Sequence, residues 1–169
     1  SQGTDPNDET SYPQGQSDPQ TVVFGDTPEA DYTGTIQDTF ININSDVNNN
    51  MGQLNTYTWP TDTVANAVLL KVDLSQIPEG AQIQSAALRL YQTAAGGDSS
   101  YDVSVHQIVN VSPDLAQANG YSFDGTGDWT ANTECYNSVP LAQADIATAM
   151  SVNSLDQTLG LKAWDVTQL

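Results

Sequence analysis

The chain has 169 residues, a length typical of one domain, and 38% of them are hydrophobic, which is enough to form a buried core. Its 21 acidic residues face only Lys71, Arg89 and Lys162, so the formal net charge is −18. This charge argues against nucleic acid as a partner, because phosphate binding requires clustered lysine and arginine. Membrane insertion is not expected either, because no apolar run reaches the roughly 18–20 residues of a transmembrane helix.

Residues 1–35 are predicted to form an extended N-terminal arm. Residues 1–20 contain three prolines and few apolar side chains, a composition typical of a disordered segment or linker. The run TVVFG at residues 21–25 differs, because it is apolar and β-branched and favours a strand. The chain begins with Ser1 rather than Met, which fits a secreted, extracellular or cell-surface protein whose signal peptide has been removed.

Residues 36–169 are predicted to form an all-β domain, an antiparallel β-sandwich of jelly-roll-like type. Four segments alternate apolar and polar residues with a period of two, the pattern of half-buried strands. They are DTFINI, VLLKVDL, AALRLYQ and YDVSVHQIV, which begin at residues 38, 68, 86 and 101. The second and third flank a turn with Pro78 and Gly80, which predicts a hairpin-like unit over residues 68–93. PLAQADIATAM at residues 140–150 has near-helical spacing and predicts a short helix on a loop.

Several of these sequence segments also resemble those of a known protein family. DTFININS, then VLLKVDLSQIPEGAQIQSAALRLYQT, DWTANT and AWDVTQL occur in this order between about residue 37 and residue 169. The chain thus resembles the DNRLRE or disaggregatase-related β-sandwich family, which is related to an alginate-binding carbohydrate-binding module family. The resemblance implies an extracellular jelly-roll-like appendage without catalysis of its own. Members of that family continue past the WDVT word through further strands, whereas this sequence stops at Leu169.

A sandwich without its closing strands and a spare N-terminal arm together predict strand donation between subunits. The candidate donor strand consists of Thr21, Val22, Val23 and Phe24, in which Val22 and Phe24 would fill a groove of a neighbouring copy. Such a contact joins two different surfaces, so its repetition builds an open filament of copies of this chain. The alternative, in which residues 21–25 pair within their own domain, stays open.

No catalytic residue is predicted, and the protein is not expected to be an enzyme. The acidic residues are scattered through turns, and nothing in the sequence pairs two carboxylates for general acid–base chemistry. His106 is the only histidine, lies on the strand face opposite Val103 and Val105, and is predicted to be exposed or at a rim. Cys135, the only cysteine, has no basic neighbour that would lower its pKa, so we expect a small packing residue.

Two loops carry oxygen ligands that suit calcium, the one cofactor for which the sequence offers candidates. NINSDVNNN presents Asn44, Asp46 and Asn48 at alternate positions, and DGTGDW brackets two glycines with Asp124 and Asp128. Neither loop completes an EF-hand, and solvated turns are the alternative reading. A structural calcium ion predicts that a chelator lowers the melting temperature.

The alternative function is that of a carbohydrate-binding module of a secreted polysaccharide-active or surface protein, with a cell-surface or matrix polysaccharide as partner. Sugar binding requires exposed aromatic rings beside hydrogen-bonding groups. The candidate residues are Tyr57, Trp59, Tyr91, Lys71 and Arg89, the last two lying near one another if their strands pair. The strongly negative field favours a neutral glycan over alginate. Trp129 and Trp164, in the family words, are expected to anchor the core.

Overall fold

The computed structural model describes residues 19–25, 31–42, 45–48, 52–56, 66–97, 100–130 and 145–169. The chain divides into two compact units, Ser1–Thr33 and Gly34–Leu169. The described residues of the second unit form six strands: β1 (Ile36–Asn42), β2 (Asn66–Val72), β3 (Ala87–Gln92), β4 (Ser100–Val105), β5 (Ser151–Asp156) and β6 (Gly160–Asp165). The described residues contain no α-helix, and hence none long and apolar enough to cross a membrane.

The strands pair into three antiparallel two-stranded sheets, β1–β2, β3–β6 and β4–β5. The all-β class is thereby confirmed, while the jelly-roll sandwich stays a prediction. Each of the four alternating segments overlaps a strand, β1 to β4 in chain order. The apolar–polar alternation used above does not identify β5 and β6. In these strands the apolar Val152 and Leu161 face solvent, while the polar Asn153 and Lys162 are half-buried.

The core of Gly34–Leu169 forms where the β1–β2 sheet packs against the irregular segment of residues 108–130. Ile41 and Leu69 lie on the same face of the sheet, because Ile41 is opposite Ala67 and Thr39 is opposite Leu69. Their side chains, 1% and 2% exposed, form one buried cluster with Leu115, Ala118 and Trp129. The prediction that Trp129 and Trp164 are core anchors is confirmed, since both are buried.

The predicted hairpin over residues 68–93 is wrong, because its two strands belong to different sheets. β2 pairs with β1, and β3 pairs with β6. The connection between β2 and β3 makes two successive turns, in which Ile77 N–H donates to the Leu74 carbonyl and Ala81 N–H donates to the Pro78 carbonyl. A two-residue hairpin loop fixes the register of the two strands it joins, whereas a connection of this length does not.

The described part of residues 140–150 does not form the predicted helix. Residues 140–144 lie outside the described residues, and Asp145–Met150 is not α-helical. Instead, Ile146 forms an antiparallel bridge with Ile108, and Val109 N–H donates to the Asp145 carbonyl at 3.0 Å. Pairing with a neighbouring extended segment has therefore overridden the weak helical spacing.

Candidate assembly edge and ligand-binding surfaces

The candidate donor strand, residues 21–24, belongs to no strand in the described part of the chain. Val22 is 49% exposed and Val23 is 43% exposed. Phe24 is half-buried and contacts Tyr32 of the same unit edge to face, with 5.2 Å between ring centroids. Two apolar, β-branched side chains of this segment thus remain in contact with water.

The register of the β3–β6 sheet shows which main-chain groups of β3 point away from β6. Val166 N–H donates to the Ala86 carbonyl at 2.9 Å, so the pair formed by Ala86 and Val166 is a hydrogen-bonded pair. Such pairs alternate with non-hydrogen-bonded pairs along an antiparallel ladder. The main-chain groups of Ala87, Arg89 and Tyr91 therefore point outward. We call these three residues the β3 edge.

Within the described residues, the outer edge of β6 is occupied, whereas the β3 edge is open. The Asn153 side-chain amide of β5 donates to the Ala163 carbonyl at 3.0 Å, and Asp165 N–H donates to Ser151 Oγ at 3.2 Å. Ala163 and Asp165 lie opposite residues of the β3 edge, so their main-chain groups point toward β5, as the register requires. Among the described residues, no hydrogen bond is made to the main-chain N–H and C=O groups of the β3 edge, whose three residues are all exposed.

One face of the β3–β6 sheet also exposes apolar side chains. Tyr91 and Leu161 lie directly opposite one another and are 68% and 62% exposed. Arg89 and Ala163, the neighbouring pair on the same face, are exposed as well. We call this surface the Tyr91–Leu161 face. An exposed aromatic ring beside an aliphatic side chain and a guanidinium suits stacking against a flat apolar partner or a sugar ring.

The structure brings together only part of the predicted glycan site. Tyr57 and Trp59 lie outside the described residues. Lys71 lies on β2 opposite Gln37, so the cross-strand neighbourhood of Lys71 and Arg89 expected from a β2–β3 pair does not form. Tyr91 and Arg89 do share a face.

Leu161 is the residue of this face that the sequence prediction missed. The sequence pattern does not mark β6, but once this strand is known, counting back from the buried Trp164 places Leu161 on the outer face.

Asn48 and Asp124, two of the predicted calcium ligands, stabilise turns in the structure. The Asn48 side-chain amide donates to the main-chain carbonyls of Leu115 (3.0 Å) and Ala118 (2.7 Å). Asp124 Oδ1 accepts hydrogen bonds from Gly127 N–H at 2.7 Å and from Thr126 N–H at 2.9 Å. These two bonds hold the pKa of the Asp124 carboxyl below its ordinary value, the bond from Gly127 having the larger effect.

The remaining predicted ligands do not form a metal centre within the described residues. Asn44 lies outside them, while Asp46 and Asp128 are exposed. The described residues contain no group of three or more His, Cys, Asp or Glu side chains that would hold a metal ion. A structural calcium ion at these loops stays a prediction.

His106 is half-buried, and both of its ring nitrogens have partners. Nδ1 lies 2.9 Å from the Ala147 carbonyl, and Nε2 lies 2.7 Å from Ser104 Oγ. The carbonyl accepts only, so a neutral ring donates from Nδ1 and accepts the Ser104 hydroxyl proton at Nε2. A Ser–His–Asp triad would place a carboxylate at Nδ1, where this ring meets a main-chain carbonyl. The pair therefore links β4 to the segment before β5. Cys135 lies outside the described residues.

Asp145 is a buried carboxylate that the sequence did not single out among seventeen aspartates. Its side chain is fully buried; Oδ2 accepts from Thr130 N–H at 2.6 Å, and Oδ1 accepts from the Thr130 hydroxyl at 2.7 Å. Thr130 follows the core residue Trp129, so these bonds join the two chain segments on either side of residues 131–144. The arrangement gives both buried carboxyl oxygens a hydrogen-bond donor, without which their burial would be costly.

Comparison of the chain with protein-family models, curated proteins and solved structures gives no match. The resemblance to the DNRLRE family therefore stays a prediction that rests on the sequence words alone.

Proposed function

We propose that the protein is a non-enzymatic, extracellular structural subunit that assembles into a filament. Residues 21–24 of one copy add a strand to an open sheet edge of the next copy, and the added strands complete a jelly-roll-like sandwich. The observation that supports this proposal comes from the described residues. There an apolar, β-branched segment has no strand partner, and each sheet has only two strands. Unpaired strand edges are templates for pairing with another chain.

Strand addition would be stabilised both by new main-chain hydrogen bonds and by the burial of apolar side chains. Each new main-chain hydrogen bond contributes about 0.5–1.5 kcal/mol net. Full burial of a valine contributes about 1.5–3 kcal/mol, so covering the half of Val22 that is now exposed adds about 1 kcal/mol. Because donor segment and acceptor edge are different surfaces, the contact does not close on itself and the assembly grows as a filament.

The test is a charge introduced into the donor strand of the full-length protein. Val22→Asp should abolish fibres seen by negative-stain microscopy and leave a soluble monomer on a sizing column. Val152→Asp, the same change at an exposed valine of β5, is the matched control and should assemble like the unchanged protein. Unaltered circular dichroism melting in both variants shows that folding is intact. Normal fibres from Val22→Asp would overturn the proposal.

The Tyr91–Leu161 face favours a second candidate, the binding of a neutral cell-surface or matrix polysaccharide. Tyr91 is the most exposed of the large hydrophobic side chains in the described part of the chain, at 68%. Tyr91→Ala should weaken pull-down by an insoluble neutral glycan several-fold, whereas Tyr101→Ala, at an exposed tyrosine of β4, should not. Equal retention of both variants would remove this candidate.

A further inference from the structure

We infer that the β3 edge of one copy is the surface that receives residues 21–24 of the next copy. This inference rests on the proposed strand donation and names its acceptor. Three residues of the β3 edge offer both a main-chain N–H and a C=O that have no hydrogen-bond partner among the described residues. A strand that lies alongside them continues the ladder beyond β3.

The outer edges of β6 and β1 already carry contacts in the described part of the chain. That of β6 accepts and donates hydrogen bonds with β5 side chains, as described above. At the end of β1, the Asn42 carbonyl accepts Ser45 N–H at 3.2 Å and lies against Gly120. An incoming strand would have to displace these contacts.

The edge of β2 is open to a smaller extent than the β3 edge. Asp73 N–H donates to the Thr35 carbonyl, so by the same alternation the outward residues of β2 are Asn66, Val68, Leu70 and Val72. Asn66 is only 7% exposed and the other three are half-buried, whereas all three residues of the β3 edge are exposed. Backbone groups of β2 are therefore less accessible to another chain.

Charge also favours the β3 edge. Residues 1–33 contain seven acidic residues and no lysine or arginine. Arg89 lies on the β3 edge itself, is exposed, and forms no ion pair within the described residues. Lys71 turns its main-chain groups toward β1, because it lies in a hydrogen-bonded pair with Gln37. An acidic arm that forms main-chain bonds along β3 thus meets a basic side chain at the middle of the ladder.

The side chains of donor and acceptor match on both faces. Leu88 and Leu90, on the inner face of β3, are only half-buried. In an added strand, Val22 and Phe24 would share a face and cover these leucines. Val23 would then lie on the opposite face, beside the exposed ring of Tyr91.

Three single-cysteine forms of the full-length protein test this geometry, and all carry Cys135→Ser. Val23→Cys mixed with Tyr91→Cys should give a disulfide-linked heterodimer under mild oxidation. Val23→Cys mixed with Lys71→Cys, at the exposed base of β2, is the matched control. We expect several-fold more cross-link in the first mixture. A second variant, Arg89→Glu, should raise the concentration needed for fibres several-fold, whereas Lys71→Glu should leave it unchanged.

The outcomes separate this inference from the proposed function. If Val22→Asp abolishes fibres but the cross-link forms at residue 71 rather than 91, donation stands and the β3 edge is the wrong acceptor. Fibre formation by Arg89→Glu at the unchanged concentration, with no cross-link at residue 91, would overturn the inference in the same way. If Val22→Asp assembles normally, donation itself fails, and the inference fails with it.

Discussion

Trp164→Phe tests how the β3–β6 sheet is held against β4, and hence what supports the β3 edge. The indole of Trp164 is 4% exposed and donates to the Val103 carbonyl at 2.8 Å, although β6 and β4 are not neighbours in any sheet. Phenylalanine keeps an aromatic ring in the core but removes the N–H donor. A carbonyl left without its donor costs about 1–3 kcal/mol of unfolding free energy. Trp164→Ala, which also leaves a cavity, should cost about 3–5 kcal/mol.

Urea denaturation followed by far-ultraviolet circular dichroism measures this loss. With a slope of about 2 kcal/mol per molar urea, Trp164→Phe should lower the midpoint by roughly 0.5–1.5 M and leave the slope unchanged. Tyr91→Phe is the control: this ring is 68% exposed, and the change should stay within about 0.5 kcal/mol. If Trp164→Phe unfolds at the midpoint of the unchanged protein, the indole bond does not hold the two sheets together.

Three further changes test the loops that surround the core. Gly120→Ala should cost about 1–3 kcal/mol, because a Cβ there would overlap a main-chain carbonyl at the end of β1, whereas Gly96→Ala, with nothing within 4 Å, should be near neutral in thermal melts. Asp124→Ala should lower the melting temperature most at neutral pH. Hydrogen bonds lower the pKa of this carboxyl in the folded state. Its contribution to stability is therefore present above the ordinary pKa of 3.8 and is lost as the pH falls through the lowered pKa. A melting difference independent of pH would contradict that reasoning. Thr130→Val removes a donor to the buried Asp145 carboxylate and should cost about 1–3 kcal/mol in urea denaturation; an unchanged midpoint would mean that water replaces the bond.

The candidate surfaces were only partly predictable from the sequence. Alternation along β3 places Arg89 and Tyr91 on the outer face and Leu88 and Leu90 on the inner face, and the structure confirms this pattern. The partner of Tyr91 was not predictable, because Leu161 is distant in the chain and becomes its neighbour only through the β3–β6 register. The same holds for Asp145 and Thr130, which meet across residues 131–144.

The sequence by itself determined that the chain folds into strands, that Trp129 and Trp164 are buried, and that the chain is strongly acidic. Periodicity and composition are local properties of the sequence. Which face of a sheet a side chain occupies follows from its position within a strand of a few residues. The tertiary structure decided which strands pair, and therefore which strand edges stay open within the described part of the chain. β2 and β3 separate although they are consecutive, because pairing depends on contacts between distant segments that local periodicity does not encode.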